Sequence, residues 1–221
     1  MVETKPDASN MPEKLIIKSS LKKLARGGAV LVVAPLIICD ALARTLHPEG
    51  TFSGTSQLLS LFPGKAGSYL RVAFYRFAMQ SCAADCFIGF GTVFSQRNTT
   101  IGRAVYIGPQ CNIGACSIGE DSLIASGVHI MSGSDQHHFD SVDVPIQEQG
   151  GEYAAVNVGV DCWIGNGALV MASVEDKTIV GAGAVVSRSL PPLSIAVGNP
   201  ARIVKSRIQS PVCDSSPNNR T

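Results

Sequence analysis

The sequence predicts a mainly β solenoid preceded by a short helical, partly apolar region. Three observations carry that prediction. Aliphatic residues return at every sixth position, most of them are followed directly by glycine, and the beat is broken once by a long polar segment. The series opens with Ile88-Gly89 and Phe94. It continues through Ile101-Gly102, Ile107-Gly108, Ile113-Gly114, Ile118-Gly119, Ile124-Ala125 and Ile130. After the break it resumes at Val158-Gly159, Ile164-Gly165 and Val170, slips its phase, and closes on Val180-Gly181 and Val186.

A helix needs a period near 3.6 and a half-buried strand needs strict alternation. Six fits neither. A fixed short period marks a solenoid, in which each repeat buries its apolar side chain only against its neighbours. Each hexad reads as one short strand and one turn, and three hexads close a triangular coil. The Ile or Val side chain points inward. Small residues often stand four positions after the aliphatic one (Thr92, Cys111, Ser122, Val128, Ala168, Ala184), as a narrow interior requires. The glycines are expected to hold turn conformations that a β-carbon would strain. Two irregularities stand out: five residues from Ile113 to Ile118, and ten rather than twelve from Val170 to Val180. The second is expected to shift one edge of the coil stack.

The preceding region divides further. Residues 1–13 read as a disordered tail, and residues 14–82 as a helical region. Residues 83–205 form the solenoid with an extruded loop at 131–157, and 206–221 a flexible tail. Within 55–80, two short helices are expected on either side of Pro63-Gly64. The apolar run from Gly27 to Cys39 is thirteen residues long, short of the ~20 that cross a bilayer as a helix. Lys14, Lys18, Lys22, Lys23 and Arg26 flank it with no acid among them. Residues 14–46 are therefore expected to sit on the cytoplasmic face of a membrane, basic side chains toward anionic lipid. A buried helix and a cleaved export signal remain open.

Bulk composition narrows the function classes. The 221 residues carry a net charge of +1, with only 16% charged residues, so no basic face for nucleic acid is expected. Seven cysteines, an odd count without a CxxC pair, read as reduced apolar fillers in a cytoplasmic protein.

The broken segment, MSGSDQHHFDSVDVPIQEQGGEYAAVN, holds His137 and His138 beside several carboxylates. An extruded loop lets polar chemistry leave a scaffold whose interior accepts only small apolar groups. Two further signatures follow, DCWIGNGALV at 161–170 and IVGAGAVVSRSLPPLSIAVGNPARIVK at 179–205. With the repeat, they resemble the hexapeptide-repeat acyltransferase family, and most closely its sugar and polysaccharide O-acetyltransferase branch, over residues 84–205.

The resemblance implies a left-handed parallel β-helix, where general topology alone would favour right-handed crossovers. It implies a homotrimer with sites at subunit junctions. It also implies transfer of acetyl from acetyl-CoA, as co-substrate, to a hydroxyl of a sugar, without a metal. The acceptor expected is a cell-surface polysaccharide or lipid-linked glycan precursor; an antibiotic or other xenobiotic alcohol is the alternative. A γ-class carbonic-anhydrase-like zinc enzyme, a serine acetyltransferase and a non-catalytic solenoid are further alternatives.

The chemistry is attack of a hydroxyl on a thioester, which needs a base near neutral pKa. By the family's placement of its histidine after the last hexad before the loop, His137 is the expected base and His138 the second choice. Asp135, Asp140, Glu148 or a main-chain carbonyl could orient it. His129 reads as a coil-edge residue, and His47 has no visible partner. The resemblance further assigns Trp163, Asn166, Ala182, Ser187, Arg188, Arg202 and Lys205 to the cofactor. Asn166 and Ala182 would offer main-chain groups to the pantetheine arm, and Arg202 and Lys205 cations to the nucleotide phosphates. Trp163 reads equally as an aromatic covering the coil stack.

Overall fold

The aliphatic members of the repeat all point into one narrow prism. In the computed structural model, which describes residues 13–45 and 48–208, their side chains from Ile88 to Val186 are buried. Of sixteen short strands among the described residues, numbered in chain order, the first fifteen form three parallel faces. The first face stacks β1 (Ser81–Cys82), β4 (Thr100–Ile101), β7 (Cys116–Ile118) and β10 (Val156–Val158). The second stacks β2 (Phe87–Ile88), β5 (Tyr106–Ile107), β8 (Leu123–Ile124), β11 (Trp163–Ile164), β13 (Ile179–Val180) and β15 (Ser194–Val197). The third stacks β3 (Val93–Phe94), β6 (Asn112–Ile113), β9 (His129–Ile130), β12 (Leu169–Val170) and β14 (Val185–Val186). The solenoid makes about six turns. Isolated bridges from Val158 to Val174 and from Val174 to Leu190 carry the first face onward.

The irregular spacings all fall on one corner. Steps from first to second face (Ile101 to Ile107, Ile118 to Ile124, Val158 to Ile164) and from second to third (Ile88 to Phe94, Ile107 to Ile113, Ile164 to Val170) are six residues. From third back to first they vary: seven from Phe94 to Ile101, five from Ile113 to Ile118, four from Val170 to Val174. The loop leaves between Ile130 and Val156, at this same corner. The short turn after Val170 is therefore absorbed there. The opposite corner keeps its register, with Leu169 against Val185 and the Gly183 N–H donating to Asn166 O at 2.8 Å. The expected shift of an edge does not reach the corner that carries Asn166 and Ala182.

The glycines that follow the aliphatic residues serve a different need from the one anticipated. Their φ angles are not positive. A Cβ on Gly89 would stand 2.5 Å from Gly108 C, and one on Gly165 2.5 Å from Ala182 N. The next coil leaves no room for it. Positive φ falls elsewhere, on Gly91, Gly127, Gly167 and Gly183 at the second corner.

Three helices precede the coils: α1 (Glu13–Ala43), α2 (Pro48–Ser60) and α3 (Gly64–Ala78). They close the open end of the first coil, whose main-chain groups have no preceding coil to pair with. Ser68 Oγ accepts the Ile88 N–H at 3.1 Å, and Ser56 Oγ accepts the Phe94 N–H at 2.8 Å. The fully buried Arg71 donates to Ile88 O, Leu59 O and Phe62 O, capping the end of α2 as well. Helix α1 is pinned at its far end, where Asp40 receives both guanidinium nitrogens of Arg97 at 2.7 and 2.6 Å. At the other end of the solenoid, β16 (Arg202–Ser206) runs antiparallel to β15 and covers the last coil.

The apolar part of α1 is longer than the sequence count implied. Ser20–Ala43 is long and apolar enough to cross a membrane by length and composition. Ala29, Val33 and Asp40 are buried against the body, whereas Leu21, Leu24, Leu31, Val32, Ile38 and Leu42 are exposed. Of the expected tails at 1–13 and 206–221, residues 1–12 and 209–221, with Cys213, lie outside the described residues, as does the isolated His47; Glu13 instead begins α1 and Ser206 ends β16.

Candidate functional site

The residue before each inward aliphatic points outward, because successive strand side chains alternate. Read by face, these outward positions separate into three chemistries. The first face shows Ser81, Thr100, Ser117 and Asn157. The second shows Phe87, Tyr106, Leu123, Trp163, Ile179 and Ile195 in register from coil to coil. Phe87 and Tyr106 are stacked there, with ring centroids 5.0 Å apart. The third shows Val93, Asn112, His129, Leu169 and Val185.

A cavity of about 420 Å³ lies on the third face. Asn112 and His129 are paired across its floor, with Ser95, Met131, Ser132 and Leu169 around them. Gln136, from the base of the extruded loop, completes the wall. The loop is a paired structure. Glu152 N–H donates to Asp135 O at 2.8 Å, Ala154 N–H to Ser132 O at 3.1 Å, and His138 N–H to Gly150 O at 3.0 Å. Gly151 packs against the Gln136 carbonyl so closely that any Cβ would collide with it. These contacts fix the base of the loop, with Gln136 in the cavity wall.

His137 and His138 are both exposed, and neither lines the cavity. Among the described residues, neither imidazole has a hydrogen-bond partner, and Asp135, Asp140 and Glu148 do not reach them. His129, set aside as a coil-edge residue, is in the cavity wall. Ser95, Asn112 and Gln136 were also missed. For Asn112 and His129 the available signal was the outward position before each aliphatic residue, read at every third hexad; Ser95 follows Phe94 and Gln136 lies in the loop, so neither carries that signal.

The residues assigned to the cofactor divide between two edges. Asn166 and Ala182 stack on the corner between the second and third faces, joined through the Gly183 N–H. Trp163 is exposed on the second face between Leu123 and Ile179. Arg202 and Lys205 lie on β16, opposite Val197 and Ile195 of that face. Ser187 and Arg188 instead follow β14, at the corner from which the loop leaves. They are exposed there, beside Ser189, which lines a cavity under the loop with Asp135 and Glu152.

The cysteines of the coils are packing groups. Cys111, Cys116 and Cys162 are buried. Burial raises all three thiols, Cys116 to about 12, which keeps them from acting as thiolate nucleophiles. Among the described residues, no three His, Cys, Asp or Glu side chains cluster as a metal site.

No family model matches the chain. A probable acetyltransferase of Mycobacterium tuberculosis is 36% identical over 92 residues, covering 41% of this chain and 30% of that protein. The putative lipopolysaccharide biosynthesis O-acetyl transferase WbbJ of Escherichia coli K12 is 32% identical over 124 residues, covering 53% of this chain and 62% of that one. The chain thus spans under two thirds of either relative's length. Among solved structures, a hexapeptide-repeat-containing acetyltransferase of Vibrio cholerae, complexed with acetyl coenzyme A, superposes with a TM-score of 0.56 at 20% identity, covering 77% of this chain and 93% of that one. Strand order, coil register and this superposition agree: the chain has the left-handed β-helix fold of the hexapeptide-repeat acetyltransferases.

Proposed function

We propose that the chain is a CoA-dependent O-acetyltransferase that moves acetyl from acetyl-CoA to a hydroxyl of a sugar. The observation that carries this reading is the third-face cavity, where Ser95, Asn112, His129 and Gln136 gather at the base of the histidine-bearing loop. The acetyltransferase names of both sequence relatives support it.

In this mechanism the acceptor occupies the third-face cavity, where Ser95 and Asn112 offer hydrogen bonds to its hydroxyls. The reacting hydroxyl oxygen attacks the thioester carbonyl carbon while His137 removes its proton. The C–O bond forms, the carbonyl π pair moves onto oxygen, and a main-chain N–H stabilises the oxyanion. Collapse expels the CoA thiolate, which takes the proton back from the imidazolium. The products are the acetyl ester and free CoA. No acyl-enzyme is required, in keeping with the enclosed thiols. Trp163, Asn166 and Ala182 line the path of the pantetheine arm, and Arg202 and Lys205 hold phosphates. Ser187 and Arg188, on the other edge of the third face, fit this path less well.

The apolar column on the second face supports association of copies into the expected homotrimer. The exposed apolar side of α1 supports a seat on the inner face of the cytoplasmic membrane, and with it a lipid-linked glycan or surface-polysaccharide precursor as acceptor. Thiol release from acetyl-CoA with a panel of sugars, lipid-linked glycans and xenobiotic alcohols tests the activity. His137→Ala should lower turnover by roughly 10²–10⁴ and His138→Ala much less. Loss of turnover in His138→Ala alone would transfer the role of base. No thiol release with any acceptor would reject the reading.

A further inference from the structure

A second cavity, of about 230 Å³, opens where α1, α3 and the first coil meet. It shares no residue with the third-face cavity. Its cations are Lys22 and Arg26, one turn apart on α1, and Lys65 in the first turn of α3. A small adjoining cavity brings Arg76 beside Arg26. Ser68 and Tyr69 add hydroxyls, and Asp85 is the one acid in the wall. The Asp85 carboxylate faces the Ala104 N–H at 3.4 Å. Among the described residues, none of the four cations forms an ion pair. The Arg26 Nε is itself buried and has no hydrogen-bond partner among the described residues, so this guanidinium is incompletely satisfied by the protein.

An anion with several acceptor oxygens answers this set of donors, and the surroundings indicate its source. Beyond Arg26, α1 continues into its exposed apolar side chains Leu31, Val32, Ile38 and Leu42. Ala29 and Val33 are packed on the body, and Asp40 is tied to Arg97. The helix therefore lies along the protein and presents this side outward. Cations beside an outward apolar helix match the two parts of a lipid, a charged headgroup and its acyl chains.

We propose that this cavity binds the phosphate of an anionic phospholipid, with the acyl chains directed along the exposed side of α1. The inference rests on the membrane seat proposed above and gives that seat its lipid selectivity. Phosphate binds Arg26 through a charge-assisted fork and Lys22 and Lys65 as point charges.

The test is flotation of the full chain with two vesicle types, phosphatidylcholine alone and phosphatidylcholine with about one quarter phosphatidylglycerol. Wild type should prefer the phosphatidylglycerol vesicles. Lys65→Ala and Lys22→Ala should each reduce that preference roughly five-fold. Lys23→Ala, exposed on α1 but outside the cavity, should change it less than about two-fold. Equal losses in all three variants would replace the cavity with diffuse attraction and overturn the proposal. Displacement by millimolar soluble glycerol phosphate would overturn the lipid source. Leu31→Ser with Val32→Ser should weaken binding to both vesicle types without altering the preference. Binding without any preference would reject the cavity and leave the seat standing; no binding to either type would reject both.

Discussion

Replacing Arg71 with methionine should detach the helical cap from the solenoid while leaving the coils intact. The Arg71 guanidinium is fully buried. Nη1 donates to Leu59 O at 2.9 Å and to Phe62 O at 2.8 Å, and Nε and Nη2 both donate to Ile88 O at 3.1 Å. Methionine fills comparable volume and donates nothing. Three carbonyls lose a charged donor, each bond worth about 1.5–3 kcal/mol. Removing the buried charge returns several kcal/mol of desolvation, the same burial that lowers the Arg71 pKa from its usual value. The balance is a net loss of about 3 kcal/mol. For a chain of this size that lowers the melting temperature by about 6–12 °C. Calorimetry gives the shift, and limited trypsin digestion should show earlier cleavage at Lys65 and Arg76 than within the coils. Arg71→Lys should recover little, because one ammonium cannot span three carbonyls at these positions. A methionine variant that melts within about 1 °C of wild type, with an unchanged digestion pattern, would refute the claim that this side chain joins cap to coil.

Further outcomes follow from the same geometry. Asn112→Ala and Ser95→Ala should each raise KM for the acceptor about five- to ten-fold, one hydrogen bond's worth, with KM for acetyl-CoA unchanged; steady-state kinetics that move both constants together would remove these residues from the acceptor pocket. Leu123→Asp, in the middle of the second-face column, should dissociate the proposed homotrimer, and a wild-type oligomer mass from light scattering would show that the column is not the contact. Gly165→Ala forces a Cβ to within 2.5 Å of Ala182 N and should cost about 1–3 kcal/mol of stability, read from denaturant unfolding. Iodoacetamide at mildly alkaline pH should label the exposed Cys39 in the folded protein and reach Cys111, Cys116 and Cys162 only after denaturation. Labelling of Cys116 in the native state would contradict its enclosure and its raised pKa.

The sequence by itself determined the coil. A side chain that must point inward at each strand, with no space for a Cβ beside it, leaves a local imprint: Ile or Val, then Gly, at Ile88, Ile107, Ile164 and Val180. The loop was equally legible, since its polar residues cannot continue that imprint. Other features depended on how distant residues stack. The six-residue beat does not say which hexads share a face, so Asn112 and His129 became neighbours only when their coils were placed in register. The slip after Val170 seemed a disturbance of the cofactor edge until the third corner was seen to absorb it together with the loop. The hexad glycines were assigned to turn strain because their true constraint, the backbone of the next coil, lies well away in sequence. The same holds for Arg71, Ser56 and Ser68. Nothing near them in the chain marks them as partners of the first coil, because the unpaired main-chain groups they satisfy exist only at the end of a folded stack.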